Sequence, residues 1–199
     1  PHPWDTDRMR RPSTILALVL PMLLGLLAGC GNGLHGQGTG PSMSDLLTAL
    51  DGNAVPGATG EFDLDKYVSA YAASPDAERT EFGKAGFVSG WVLSTLDSTF
   101  SRRLYLIKFR DSAAARDVYG WYKGYVKDGT FSLELSREHY GRVATYQDGQ
   151  NRTGTYAQVM YPAGPFLVVV SVTVAAAADT ERAKTEASKI ATAESTRLP

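Results

Sequence analysis

Among side chains that can form or break covalent bonds, the 199-residue chain holds one cysteine, Cys30, and three histidines, His2, His35 and His139. A lone thiol makes no intramolecular disulfide, so stability has to come from the core; ionised, it is also the side chain best suited to alkylation. A Ser-His-Asp set in the body of the chain would have to use His139. The Gly-x-Ser-x-Gly elbow that such a set favours is missed in Gly86-Phe87-Val88-Ser89-Gly90, where the serine falls one place late. Glu134 and Glu138 are a carboxylate pair suited in principle to glycan hydrolysis, but charges beside a predicted turn face solvent. His35, one imidazole in a glycine tract, is a poor metal ligand. The same tract follows no strand and opens no helix, which removes the dinucleotide reading, and no P-loop occurs. The expectation is a protein that is not an enzyme and holds no metal or nucleotide; an envelope hydrolase using His139 or a carboxylate pair is the alternative.

Aromatic residues are the other candidates. Tyrosine and tryptophan keep their polar tips wet or hydrogen-bonded, so a surplus of them lines grooves for sugars, peptides or lipids as well as cores. Of the ten tyrosines and three tryptophans, Trp91, Tyr105, Trp121 and Tyr156 form the candidate ligand groove.

The segment that positions Cys30 is an export signal in its order of parts. A basic start, Met9-Arg10-Arg11, leads into an apolar stretch from Ile15 to Ala28 and then into small residues. That stretch is fourteen residues long and contains Pro21, short of the roughly 20 apolar residues that span a bilayer as a helix. Residues 27 to 30, Leu27-Ala28-Gly29-Cys30, resemble the lipobox of bacterial lipoproteins at all four positions. The resemblance implies a diacylglyceryl group on the Cys30 sulfur, cleavage by signal peptidase II between Gly29 and Cys30, and an N-acyl group on the new terminus. With palmitate-type chains in that number the attachment is stable, since two acyl chains suffice. Arg10-Arg11 lacks the downstream pattern of a twin-arginine signal, so ordinary Sec export is expected. Residues 1–8 precede Met9 and read as upstream sequence; 9–29 are the signal, 30–42 the lipidated cysteine and tether, and 43–199 one extracytoplasmic domain.

The tether, Gly31 to Ser42, is glycine-rich and has a root-mean-square reach of roughly 20 Å as a flexible coil. Beyond it come 17 basic and 19 acidic residues, spread without a basic stripe, so nucleic acid is excluded as a partner and anionic lipid exerts little pull. The expected partners are the membrane, through the lipid, and an envelope ligand or protein; a structural role in an envelope complex is the third reading.

Within the domain, Leu64, Tyr67, Val68 and Tyr71 share a helical face over 63–73, with Asp63 and Asp65 at its start and Ser74-Pro75 as its stop. Those two acids read as caps rather than as a metal pair. Alternation predicts strands over 84–95 and 103–109, joined at Asp97-Ser98-Thr99. Asp111 or Ser112 caps a helix lined by Ala114, Val118 and Tyr122, flanked by Tyr119 and Trp121, that ends near Asp128-Gly129. Strands follow over 131–136, 142–148, 154–161 and 166–174, with turns at Asp148-Gly149 and Pro162 to Pro165. Phe166 to Val170 is apolar on both faces, as a central strand is. The last helix, 177–194, turns Ala183, Ala187, Ile190 and Ala191 inward and pairs Arg182 with Glu186 outside. The sum is an α+β domain, an antiparallel sheet of five to six strands with packed helices, resembling two αββ units in tandem. Where strand meets helix, Phe109 to Arg116 is similar to small domains on actinobacterial lipoproteins of unknown role.

Overall fold

The computed structural model describes residues 42–125, 129–135, 137–147, 153–174 and 179–198; residues 1–41, with the expected export signal, Cys30 and most of the expected tether, lie outside them. The fold is α+β, with one antiparallel sheet and helices on both of its faces. Five long strands make the sheet: β3 (Phe87–Leu96), β4 (Phe100–Phe109), β6 (Tyr140–Gln147), β7 (Thr153–Ala163) and β8 (Phe166–Val174). Three short ones complete it, β1 (Asn53–Ala54), β2 (Gly60–Phe62) and β5 (Thr130–Phe131), in the order β1-β3-β4-β8-β7-β6-β5 with β2 also on β3.

The count is eight rather than five or six because β1 and β2, too short to show alternation, lie end to end along the outer edge of β3. The expected strand at 131–136 reduces to β5, and residues 132–135 carry no regular structure. The other expected strands are present, but the one expected from residue 84 begins at Phe87, because Pro75–Lys84 form a helix; the turn expected at Asp148-Gly149 lies outside the described residues. Asp97 closes the β3–β4 turn, its Oδ1 accepting from the backbone of Thr99 at 2.7 Å and of Phe100 at 2.8 Å. These bonds and the Arg102 guanidinium hold the Asp97 carboxyl down at about 2. β8 sits between β4 and β7, and Leu167 to Val170 are buried, as a strand covered on both faces requires.

Two cores lie on the two faces. On one, α5 (Thr180–Ser195) packs Ala183, Ala187, Ile190 and Ala191 against Leu104, Leu106, Ala157, Val159, Tyr161 and Val170. Small inward side chains let the helix lie close to β7 and β8, as expected. The Arg182–Glu186 pair does not form. Arg182 instead bonds Asp179 at 2.9 Å, and Glu186 accepts from Arg102 Nε at 2.6 Å, because Glu186 faces the sheet flank where that buried cation emerges. The strap 42–51, with the single turn α1 (Met43–Leu46), lies over the same face. Leu46, Leu47 and Leu50 join this core, and Thr48 N–H donates to Glu194 Oε2 at 2.6 Å.

On the other face lie α2 (Leu64–Ala70), α3 (Pro75–Lys84) and α4 (Ser112–Tyr125). Asp63 caps α2 by accepting from Lys66 N–H at 2.8 Å, and Asp65 pairs with Arg79; neither acid is arranged with another ligand. Pro75, read from sequence as a stop, opens a new helix: its missing N–H is among those a first turn leaves unbonded anyway, and its fixed φ suits that position. Asp111 caps α4 through Ala114 N–H at 2.8 Å. Tyr119 does not flank the buried stripe of α4 but belongs to it, at 2% exposure, with Ala114, Ala115 and Val118.

Candidate functional site

The α2–α4 face is built from aromatics around one carboxylate that the sequence reading did not single out. Phe82 stacks on Tyr67 at 4.9 Å and meets Phe109 edge-on at 5.3 Å; Phe62 lies flat over Gly90, where any Cβ would collide with its ring. Glu78, 2% exposed on α3, sits beneath this layer. Its Oε2 accepts from the hydroxyls of Tyr67 at 2.8 Å and Tyr122 at 2.5 Å, and its Oε1 from Ser74 N–H at 2.8 Å. The two hydroxyls are 3.1 Å apart. Burial, the facing phenol and the Glu78 carboxylate push Tyr67 well above the ordinary tyrosine range, and burial with Glu78 does the same to Tyr122. These phenols therefore stay protonated and donate, so the cluster ties α2, α3 and α4 together and leaves no free base. The sequence signal was the capping-like return from Glu78 to Ser74, hidden by reading Pro75 as an end.

Beyond the helices the same face continues as a polar floor. Register places Ser94, Arg103, Ser171, Gln158 and Arg142 in one row across β3, β4, β8, β7 and β6. Their side chains share the face of Val92, Tyr105, Val169 and Met160, because residues two apart along a strand point the same way. Thr173 and Tyr156 stand in the next row. Arg103, Ser171, Gln158, Arg142, Thr173 and Tyr156 are all half-buried. Arg142 lies over the Tyr156 ring at 4.9 Å, and Tyr156 donates to Gln158 Oε1 at 3.1 Å. Burial pushes the Tyr156 phenol up to about 12 despite the nearby Arg142 charge. Burial also raises Tyr105 and Tyr71, and in both the charge of Arg103 pulls the other way.

The four aromatics read as a groove do not line one. Tyr105 and Tyr156 share the α2–α4 face, and Trp121 stands on α4 edge-on to Tyr122 at 4.8 Å. Trp91 points through the sheet to the α5 face, since it alternates with Val92 along β3. His139 is a loop fastener. Its Nε2 accepts from Leu133 N–H at 3.2 Å and its Nδ1 bonds the Arg137 carbonyl at 3.0 Å, so both ring nitrogens are bound to backbone. Glu138 pairs with Lys123 at 2.9 Å, and Glu134 is exposed. Among the described residues there is no cluster of three potential metal ligands, and no helix is long and apolar enough to cross a membrane. Two hollows, of about 160 Å³ beside Lys84 and Arg110 and about 100 Å³ between the strap and α5, are small beside the roughly 300 Å³ and more of small-molecule sites.

No protein-family model matches the chain, and no curated protein sequence matches it. Among solved structures, the extracellular domain of PknH from Mycobacterium tuberculosis is similar at 12% sequence identity and a TM-score of 0.46, over 77% of this chain and 94% of that domain. A likeness so loose transfers neither ligand nor activity.

Proposed function

We propose that the protein is a lipoprotein of the bacterial cell envelope, anchored through Cys30 on the outer face of the cytoplasmic membrane, and that its folded part is a non-enzymatic binding module. The observation that carries the anchor is the order of the parts: two arginines, an apolar stretch too short to span, then Leu27-Ala28-Gly29-Cys30 and a glycine-rich tether. Cys30 brings the acyl groups, and no other cofactor enters this reading.

The binding reading is supported by where polar groups gather. Glu78 is committed to Tyr67, Tyr122 and Ser74, and His139 to two backbone groups, so the polar atoms of both are already engaged inside the protein. The strap reaches the domain on the α5 face, which suits a tethered domain that presents its α2–α4 face away from the bilayer.

Mass spectrometry of the protein taken from native membranes tests the anchor. The expected mature chain starts at Cys30 and carries the diacylglyceryl mass on that residue; an unmodified thiol on a chain that retains residues 9–29 refutes it. Cys30→Ala is expected to leave the precursor uncut or to release the protein into the medium.

A further inference from the structure

The five long strands contain no aspartate or glutamate, and their charge comes from Arg102, Arg103, Lys108 and Arg142. Arg102 is answered on the α5 face by Glu186 and Asp97. Arg103 and Arg142, on the opposite face, meet no carboxylate within ion-pair distance among the described residues. Their contacts among the described residues are to aromatic side chains, Arg103 to the Tyr105 hydroxyl and Arg142 to the Tyr156 ring, which return only part of the hydration that half-burying a guanidinium costs. Two such groups in one cross-strand row, with no carboxylate on either among the described residues, make a surface suited to anionic groups from outside.

The row fixes the geometry of what completes it. Arg103 and Arg142 are separated by Ser171 and Gln158, three strand spacings, so their Cα atoms stand about 14 Å apart. Their guanidiniums also lean apart: Arg142 covers Tyr156 in the row nearer the strand ends, whereas Arg103 acts on Tyr105 and Tyr71 in the row beneath the helices. They are placed for two anionic groups of one extended molecule rather than for one shared ion. Between them lie a serine hydroxyl, a carboxamide and the Tyr156 ring, groups that bond or stack on a neutral, hydroxyl-rich chain.

We propose that this floor binds an acidic glycan, a chain of hydroxylated units bearing carboxylate or phosphate groups, with each arginine taking one of two acidic groups that lie more than one unit apart along the chain. Guanidinium is matched to both anions because its fork bonds two oxygens at once. A membrane surface fits less well, since two cations fall short of the roughly four to eight of a lipid-binding basic cluster. The inference rests on the binding-module reading of the domain, and it does not depend on acylation of Cys30.

The test uses the full chain in detergent, with oligogalacturonate and a glycerol-phosphate oligomer as probes, an uncharged maltooligosaccharide of equal length as control, and inorganic phosphate and phosphatidylglycerol vesicles as rivals. Calorimetry is expected to show binding of at least one acidic oligomer, weakened tenfold or more by Arg103→Gln and by Arg142→Gln, and partly restored by lysine at either position. The glutamine variants should melt at the wild-type temperature, which separates lost binding from lost folding. Equal binding by both glutamine variants and the wild type overturns the proposal, as does equal affinity for the uncharged chain. Absence of binding to both acidic oligomers, or arginine-dependent binding seen only with phosphate or only with vesicles, overturns it too. Binding that survives in Cys30→Ala while that protein leaves the membrane supports the floor independently of the anchor; a correctly acylated chain that binds neither oligomer defeats the floor and leaves the anchor standing.

Discussion

Arg102 and Arg103 stand side by side on β4 and face opposite sides of the sheet. Arg102 is 4% exposed, donates to Glu186 and to Asp97 at 2.6 Å each, and lies over the Phe100 ring at 4.7 Å. Arg103 is half-buried and has no carboxylate partner among the described residues. The same residue type thus does two jobs one peptide bond apart. On the α5 face, charge is neutralised internally and the surface is closed by a helix and a strap; on the α2–α4 face the helices cover only part of the sheet, and the cations beyond them meet no carboxylate among the described residues. An arginine's meaning is set by what the opposite wall supplies.

The sharpest way to break this comparison is to truncate the two arginines in turn. Arg102→Ala strands two acids around a buried site and should cost about 3–5 kcal/mol in denaturant unfolding. Should it cost as little as a surface change, the α5 face is not held by this pair. Next in size is Glu78→Ala, which leaves Tyr67, Tyr122 and the Ser74 amide without their shared acceptor. A loss of about 2–3 kcal/mol is expected, with local opening of α2 and α3 seen by hydrogen exchange. Ala187→Leu tests the close approach of α5 and should cost about 1–3 kcal/mol by overpacking, with the α2–α4 face unaffected in its near-ultraviolet circular dichroism.

A smaller effect, dependent on pH, comes from Glu194, which is fully buried on α5 with Oε2 on Thr48 N–H and Oε1 without a partner among the described residues. Burial raises its pKa above 4.5, and the Thr48 amide and Arg197 only partly oppose this. Between 4.5 and the raised value the folded protein holds a proton that the unfolded chain has released, so stability falls as pH rises through that window. Glu194→Gln keeps an acceptor for Thr48 and should flatten that slope in urea titrations between about pH 4 and 7. Parallel curves for the two proteins would show that Glu194 does not titrate differently on folding. The smallest expected effect is that of Arg103→Ala and Arg142→Ala on stability, within about 0.5 kcal/mol each, since neither removes an internal ion pair.

Much of the architecture was legible because it rests on period. Alternation marked β3 and β4; the doubly apolar run marked β8 as the central strand; and the alanine-lined stripe marked a helix that packs closely. Less was legible where a few residues depend on a distant partner. β1 and β2 exist because β3 offers an open edge to pair with, and Pro75 opens α3 because Glu78 returns to Ser74 beneath a tyrosine layer. Of the four groove aromatics, Trp91 was misassigned for a period-two reason: it sits one residue from Val92 and so on the other face.

By itself the sequence determined the α+β class, the strand faces, a cap at Asp63, another at Asp111 or Ser112, and the basic, apolar and small residues in order ahead of Cys30, since each is written in neighbouring residues that act locally. Only the tertiary structure decided which cation is neutralised by carboxylates and which meets none among the described residues. Arg102 and Arg103 are indistinguishable in a string of letters, while Glu186 is 84 positions from the one it pairs with, and the row joining Arg103 to Arg142 exists only across four aligned strands. Electrostatic partnership is a matter of distance in space, which register and packing set and local sequence does not.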